Sequence, residues 1–204
     1  MDKHIVITIG RQFGSGGREI GKRLANSLGI SFYDKELLAI AARESGLSKD
    51  IFEMHDEKTT NSFLYSLVMD TYAMGYSTPT YVDMPINQKV FLAQFDTIRK
   101  IASEESCVIV GRCADYALEG YTDYTSIFVH GDMGDKIKRV MNTYSLNESG
   151  AKDLISKTDK KRASYYNYYT NKKWGNSINY DLTFNSSSIS LDAGVELIEC
   201  FIKK

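Results

Sequence analysis

The chain has 204 residues, 43% of them hydrophobic and 25% charged, with a formal net charge of −1. That length supports one substantial core, and the composition is that of a globular chain, not a disordered one. The balanced charge excludes a global field that would draw the chain to nucleic acid or to acidic membranes. The opening residues, MDKHIVITIG, lack the length and cleavage-site chemistry of a signal peptide. No stretch approaches the ~18 apolar residues of a membrane span. Cys107, Cys113 and Cys200 form no spaced framework, so buried, reduced thiols and a cytoplasmic protein are expected.

In chain order, the apolar, β-branched run HIVITI (4–9) predicts a buried parallel strand. Ile20, Leu24 and Leu28 share one face of a helix over 17–28, which Gly29 ends. ISFYD is a second short strand, closing at Asp34, and KELLAIAARESG is an amphipathic helix closed by Gly46. Residues 48–85 form an insertion rich in Met and aromatic residues, read as helical over 48–76 and as loop over 77–85. Such residues suit a core, a homodimer surface or a base pocket alike. A helix over 86–105 leads into the third strand, SCVIVGR, and the fourth is TSIFVHG (125–131). Helices are predicted over 132–144 and 147–171, with DLTFNSS as the fifth strand. Ser190 is placed to cap a last helix. Alternating strands and helices predict an α/β fold, a five-stranded parallel sheet covered on both faces, in one domain over 1–204.

The segment GRQFGSGGREIG (10–21) joins the first strand to the first helix. Gly14, Ser15, Gly16 and Gly17 suit a loop whose backbone N–H groups converge on phosphate at a helix N-terminus. The strict pattern G-x-x-x-x-G-K-[ST] is absent: Gly17, followed by Arg18, stands where the lysine would be, and Glu19 stands where a Ser or Thr would meet magnesium. Arg18 either supplies the missing charge or pairs with a nearby acid such as Glu19 or Asp34. Glu19 either holds magnesium or favours the positive helix end. A dinucleotide fingerprint starting at Gly14 would require Gly or Ala at 19, which counts against NAD and FAD. His4, His55 and His130 are scattered, so no metal site is expected from them, and KIKR (136–139) reads as a solvated helix face apart from Arg139.

The segments IVITIGRQFGSGGREIGKRLANSLGISFYD, VIVGRCADY and TDKKRASYYNYYT…WGNSINYDLTFNSS together resemble the cytidylate kinase-like family, a branch of the P-loop nucleoside monophosphate kinases. The resemblance implies a three-layer P-loop kinase-like fold, an acceptor-binding insertion after the second strand (48–85) and a basic lid (147–176). It implies ATP and Mg2+, with transfer of the γ-phosphoryl group to a nucleoside monophosphate. Gly14 to Arg18 would wrap the donor phosphates, while Asp34 and Arg112 would reach the acceptor. Asp159 and Arg162, in KTDKKR, would meet acceptor and migrating phosphoryl group, and Arg139 is a further substrate contact. Cys113 stands where such kinases carry an Asp, with Asp115 near enough to substitute, and Ile40 stands where they carry an arginine. Catalysis would then rest on Arg18, Arg112 and Arg162. The second reading is a nucleotide-binding protein with little or no transfer activity. Nucleotides are the expected partners in either case.

Overall fold

The computed structural model describes residues 4–56, 58 and 84–203. Five parallel strands form one sheet in the order β2-β3-β1-β4-β5. These are β1 (Val6–Arg11), β2 (Ser31–Tyr33), β3 (Cys107–Val110), β4 (Thr125–His130) and β5 (Leu182–Asn185). The central strand, β1, runs two residues further than its apolar run because Gly10 and Arg11 still pair with Phe128 and Val129 of β4.

Strand alternation divides the core. Ile7, Ile9, Val108, Val110, Ile127 and Val129 face one side and pack under α1 (Gly17–Leu28) and α8 (Leu191–Ile202). Ile20, Leu24 and Ala25 are the buried face of α1, and Gly29 ends that helix in the left-handed region (φ 66°). Ser190 caps α8, its hydroxyl accepting the Ala193 N–H at 3.1 Å. Val6, Cys107, Ile109 and Phe128 face the other side, toward α4 (Ile86–Glu104), α5 (Ala114–Leu118) and α7 (Glu148–Thr170). This is the predicted three-layer α/β arrangement.

The tyrosines of α7 serve packing. Tyr165, Tyr166 and Tyr169 are buried, and the Tyr169 ring stacks on Phe91 with centroids 4.0 Å apart. Two further helices, α2 (Glu36–Ser45) and α3 (Lys49–His55), lie beside α4. The helical reading of 48–76 holds over Lys49–His55, after which Asp56 leaves helical geometry (φ −57°, ψ 127°). The rest of that expectation, over 59–83, lies outside the described residues. The chain between β4 and α7 forms α6 (Met133–Tyr144). The short α5 and a 3₁₀ turn (Ser177–Asn179) were not expected, being too brief to carry a periodicity. Cys107 and Cys113 are buried, Cys200 is exposed, and no disulfide joins them. Among the described residues no helix is long and apolar enough to cross a membrane.

Leu24 sits fully buried between α1 and the sheet. Leu24→Ala is expected to lower the free energy of unfolding by about 2–5 kcal/mol in urea titrations, the range for an unrelieved core cavity.

Candidate functional site

The turn between β1 and α1 is shaped by Gly14 (φ 78°) and Gly16 (φ 82°), both left-handed. Ser15 is buried and locks the turn: its hydroxyl donates to Gln12 O at 2.9 Å, and its carbonyl accepts the Ser186 hydroxyl at 2.6 Å. No side chain caps α1. The N–H groups of Gly14, Gly16, Arg18 and Glu19 meet no acceptor among the described residues. Free amides at the positive end of a 12-residue helix are an anion site in waiting.

Above this turn lies a cleft of about 550 Å³ at the carboxyl ends of the strands. It is lined by Arg11, Arg18, Lys35, Arg112, Arg139 and Arg162, against the carboxylates of Glu19, Asp34 and Asp56. Six cations facing three anions leave a strong positive excess, the field a phosphorylated ligand requires.

Asp34 is the hub of this charge. Its buried carboxylate accepts Arg18 Nε at 2.6 Å and Arg112 Nη1 at 2.7 Å, with Arg11 Nη2 at 4.0 Å. Burial alone would push the Asp34 carboxyl up. The Arg112 charge, the Arg18 hydrogen bond and the Arg11 charge outweigh it and hold the group below the usual carboxylate range. Arg112 is also held by Asp56, with Nε 3.2 Å from Oδ1 and Nη2 2.8 Å from Oδ2. Arg112 and Cys113 follow Gly111 with φ of 53° and 54°, left-handed values that cost a non-glycine residue roughly 1–2 kcal/mol each. That sharp turn follows β3 and brings the Arg112 guanidinium back to the strand's last residue, with Nη1 donating to Val110 O at 3.3 Å.

The sequence-predicted residues divide accordingly. Arg18, Asp34, Arg112, Arg139 and Arg162 share the cleft with Gly14, Gly16, Gly17 and Glu19. Arg18 makes the pairing with Asp34 that was one of its two readings, its side chain half exposed and 5.8 Å from the Phe32 ring centroid. Arg139 lies against the loop and donates to Gly14 O at 2.7 Å. Arg162 donates to Arg11 O at 3.3 Å and sits 5.5 Å from the Phe13 ring centroid. Asp159 accepts the Phe13 N–H at 2.6 Å and pairs with Lys136 at 2.9 Å, tying α7 to the loop and to α6.

Two expectations need correction. The KIKR face is not wholly solvated: Lys136 is buried between Asp159 and Gln12, while Lys138 alone is strongly exposed. Asp115 does not line that cleft; it is half-buried beside a smaller neighbouring pocket that shares Arg11, Arg112 and Arg162, and it accepts the Tyr166 hydroxyl at 2.6 Å. Burial pushes its carboxyl above the ordinary range. Arg11, Asp56 and Lys136 were not singled out from sequence. Arg11 had a signal, a charge closing an apolar strand; Asp56, remote in sequence from the cleft, had none.

Among the described residues, no cage of protein ligands for a metal ion forms. The Glu19 carboxylate accepts Arg23 Nε at 2.9 Å, and among the described residues no three His, Cys, Asp or Glu side chains converge on one point.

The lysine position itself is sterically committed. A Cβ on Gly17 would lie 2.7 Å from Arg11 Cβ and 3.0 Å from Val129 Cβ. The helix start is pressed against β1 and β4 too closely for any side chain.

Residues 6–188 match the cytidylate kinase-like family. The chain belongs to that family. Comparison with curated proteins finds no similar sequence. Among solved structures, an uncharacterized protein from Eubacterium ventriosum is similar at 32% identity and a TM-score of 0.72, over 98% of this chain and 99% of that one. Shikimate kinase from Bacteroides thetaiotaomicron shares the fold at 13% identity and a TM-score of 0.56, over 98% and 99% of the two chains. This family member is therefore kinase-like in sequence and kinase-like in fold, in the general class of nucleotide and small-molecule kinases.

Two outcomes follow from the site geometry. Gly17→Lys, which writes the missing residue back, is expected to destabilise the protein by about 1–3 kcal/mol in thermal melts and to add no stabilisation by ATP, because the new side chain overpacks against Arg11. Asp34→Asn should change the pH dependence of stability. The folded carboxyl lies below its unfolded value of about 3.9, so its contribution is complete above that pH and is lost as pH falls through the folded value. Urea midpoints measured from pH 7 downward should fall less steeply below about pH 4 in the variant, from a lower starting point.

Proposed function

We propose that the protein transfers the γ-phosphoryl group of ATP, carried as its magnesium complex, to a cytidylate-like nucleoside monophosphate. One observation carries this reading: unpartnered loop amides and five arginines share one cleft at the carboxyl ends of a parallel sheet. Phosphoryl transfer asks little covalent chemistry of a protein and much positive charge in fixed positions.

In this reading the loop from Gly14 to Glu19 receives the donor phosphates on its N–H groups, with Arg139 beside it. Arg112, across the cleft, takes the acceptor phosphate, whose oxygens replace the Asp56 carboxylate on the same guanidinium edge. An acceptor phosphate oxygen then bonds to the γ-phosphorus as the bond to the β,γ-bridging oxygen breaks. ADP leaves with that electron pair. A monophosphate already ionised at neutral pH has no proton to lose, so no general base is needed. Arg162, at the point where α7 crosses the loop, stands beside the migrating group. The insertion over 48–85 supplies base choice, and 147–176 acts as the lid.

A second reading, nucleotide binding without transfer, draws on a specific feature: Gly17 excludes the loop lysine, and both Arg18 and Arg112 are held by carboxylates. ATP consumption with Mg2+ and each of CMP, UMP, AMP and GMP separates the two. Acceptor-dependent ADP formation supports transfer; ATP binding with no ADP from any acceptor supports the second reading. Arg112→Ala is expected to weaken the accepted monophosphate at least tenfold while changing ATP affinity less than about threefold, as measured by calorimetric titration of each alone. Equal losses would contradict the assignment of Arg112 to the acceptor side.

A further inference from the structure

The absent lysine leaves a specific vacancy of charge, and one residue is built into its place. We propose that Arg11 is the cation that replaces the loop lysine, contacting the γ-phosphoryl group of the donor from the end of β1. The proposal rests on the kinase reading above and assigns a residue that reading leaves unused.

The geometry argues it in three steps. A side chain on residue 17 would begin only 2.7 Å from Arg11 Cβ, so the two positions launch their side chains from the same point and only one can carry one. Here the strand carries it and the helix gives it up. The Arg11 side chain then runs across the end of β3, where a Cβ on Gly111 would overlap its Nη1. A second glycine is thus cleared for the same guanidinium, and at φ 77° that glycine also opens the turn that bears Arg112. Finally, Arg11 Nη2 comes to 4.0 Å from Asp34, which is also bonded to Arg112. The Arg11 stem therefore starts against the phosphate loop at Gly17 and its guanidinium ends beside Asp34, the carboxylate that also holds Arg112, within the lining of the same cleft.

Arg18 has a different environment. Its guanidinium is half exposed, bonded through Nε to Asp34 and set beside Phe32 of β2. Arg11 is almost wholly buried and lines the cleft from below. A buried guanidinium, fixed by packing before the ligand arrives, loses little freedom on binding and offers a bidentate fork to phosphate oxygens. The competing role is structural: Arg11 only neutralises Asp34.

ATP and ADP distinguish these roles, because they differ by the γ-phosphoryl group. Arg11→Met keeps the stem that packs against Gly17 and removes the charge. Its ATP affinity is expected to fall about tenfold or more, and its ADP affinity less than about threefold, by titration calorimetry in Mg2+. Arg11→Lys keeps a charge without the fork and is the safer variant for folding. It should lose about threefold for ATP and nothing for ADP. A purely structural Arg11 lowers the melting temperature of both variants but leaves the ATP-to-ADP affinity ratio at the wild-type value. That unchanged ratio, in Arg11→Lys alone if Arg11→Met does not fold, overturns the assignment while leaving the kinase reading intact. Wild-type protein that binds neither nucleotide overturns both.

Discussion

The Asp34 carboxylate is the interaction on which the cleft depends. Arg11, Arg18 and Arg112 arrive from β1, α1 and the end of β3, and without an anion among them their charges would repel at close range. A buried carboxylate alone would be equally costly. Each makes the other tolerable, and removing either leaves uncompensated charge in a place with little water. The result is a preassembled positive surface held in register by one negative group. It also explains why Asp34 stands at the end of β2. In the order β2-β3-β1, that strand end lies next to the tip of β3 and within reach of the tip of β1, so one carboxylate can serve residues from both.

The two carboxylates on Arg112 are not equivalent. Asp34 is buried, and its hydrogen bonds to Arg18 and Arg112 draw on both of its oxygens. Asp56 is more exposed and pairs with Arg112 along a single guanidinium edge, the bidentate arrangement a phosphate also adopts. An incoming anion would therefore compete with Asp56 and leave the Asp34 hub in place. The strained backbone at Arg112 and Cys113 has the same logic. Left-handed geometry at two successive non-glycine residues persists only where surrounding contacts over-determine it, and here the Arg112 side chain is fixed at both ends of its guanidinium.

Much of the fold was legible in the chain because its signals were local and redundant. The Ile20–Leu24–Leu28 face, the Gly29 stop and the Ser190 cap each predict an element boundary from a handful of neighbouring residues, and each is present. The glycine loop was legible for the same reason. What could not be read were relations between distant positions. Nothing in the sequence near Asp56 ties it to Arg112, 56 positions away. Lys136 looks like any charged helix residue until Asp159 and Gln12 are brought to it. Arg18 had two readings that differ only in which partner lies nearer, and chain spacing cannot measure that. Asp115 was placed by analogy of position, and after the left-handed turn at Arg112 and Cys113 its carboxylate meets the Tyr166 hydroxyl instead of lining the cleft.

The glycine at position 17 belongs to this class of non-local facts. In sequence it appears as a lost lysine, and so as a weakened site. In the structure it is one half of an exchange of volume between two adjacent chain positions. α1 starts so close to β1 and β4 that Arg11 and Val129 fill the space where a side chain on residue 17 would grow. Restoring a lysine there would push against a buried arginine that already points into the cleft. Charge at a phosphate site is constrained by where its head group ends up, not by which residue bears it. A strand-borne arginine reaches the same region along a different stem, and it is fixed by close packing on both sides. The departure from the loop pattern and the burial of Arg11 are thus one feature, seen first along the chain and then across the sheet.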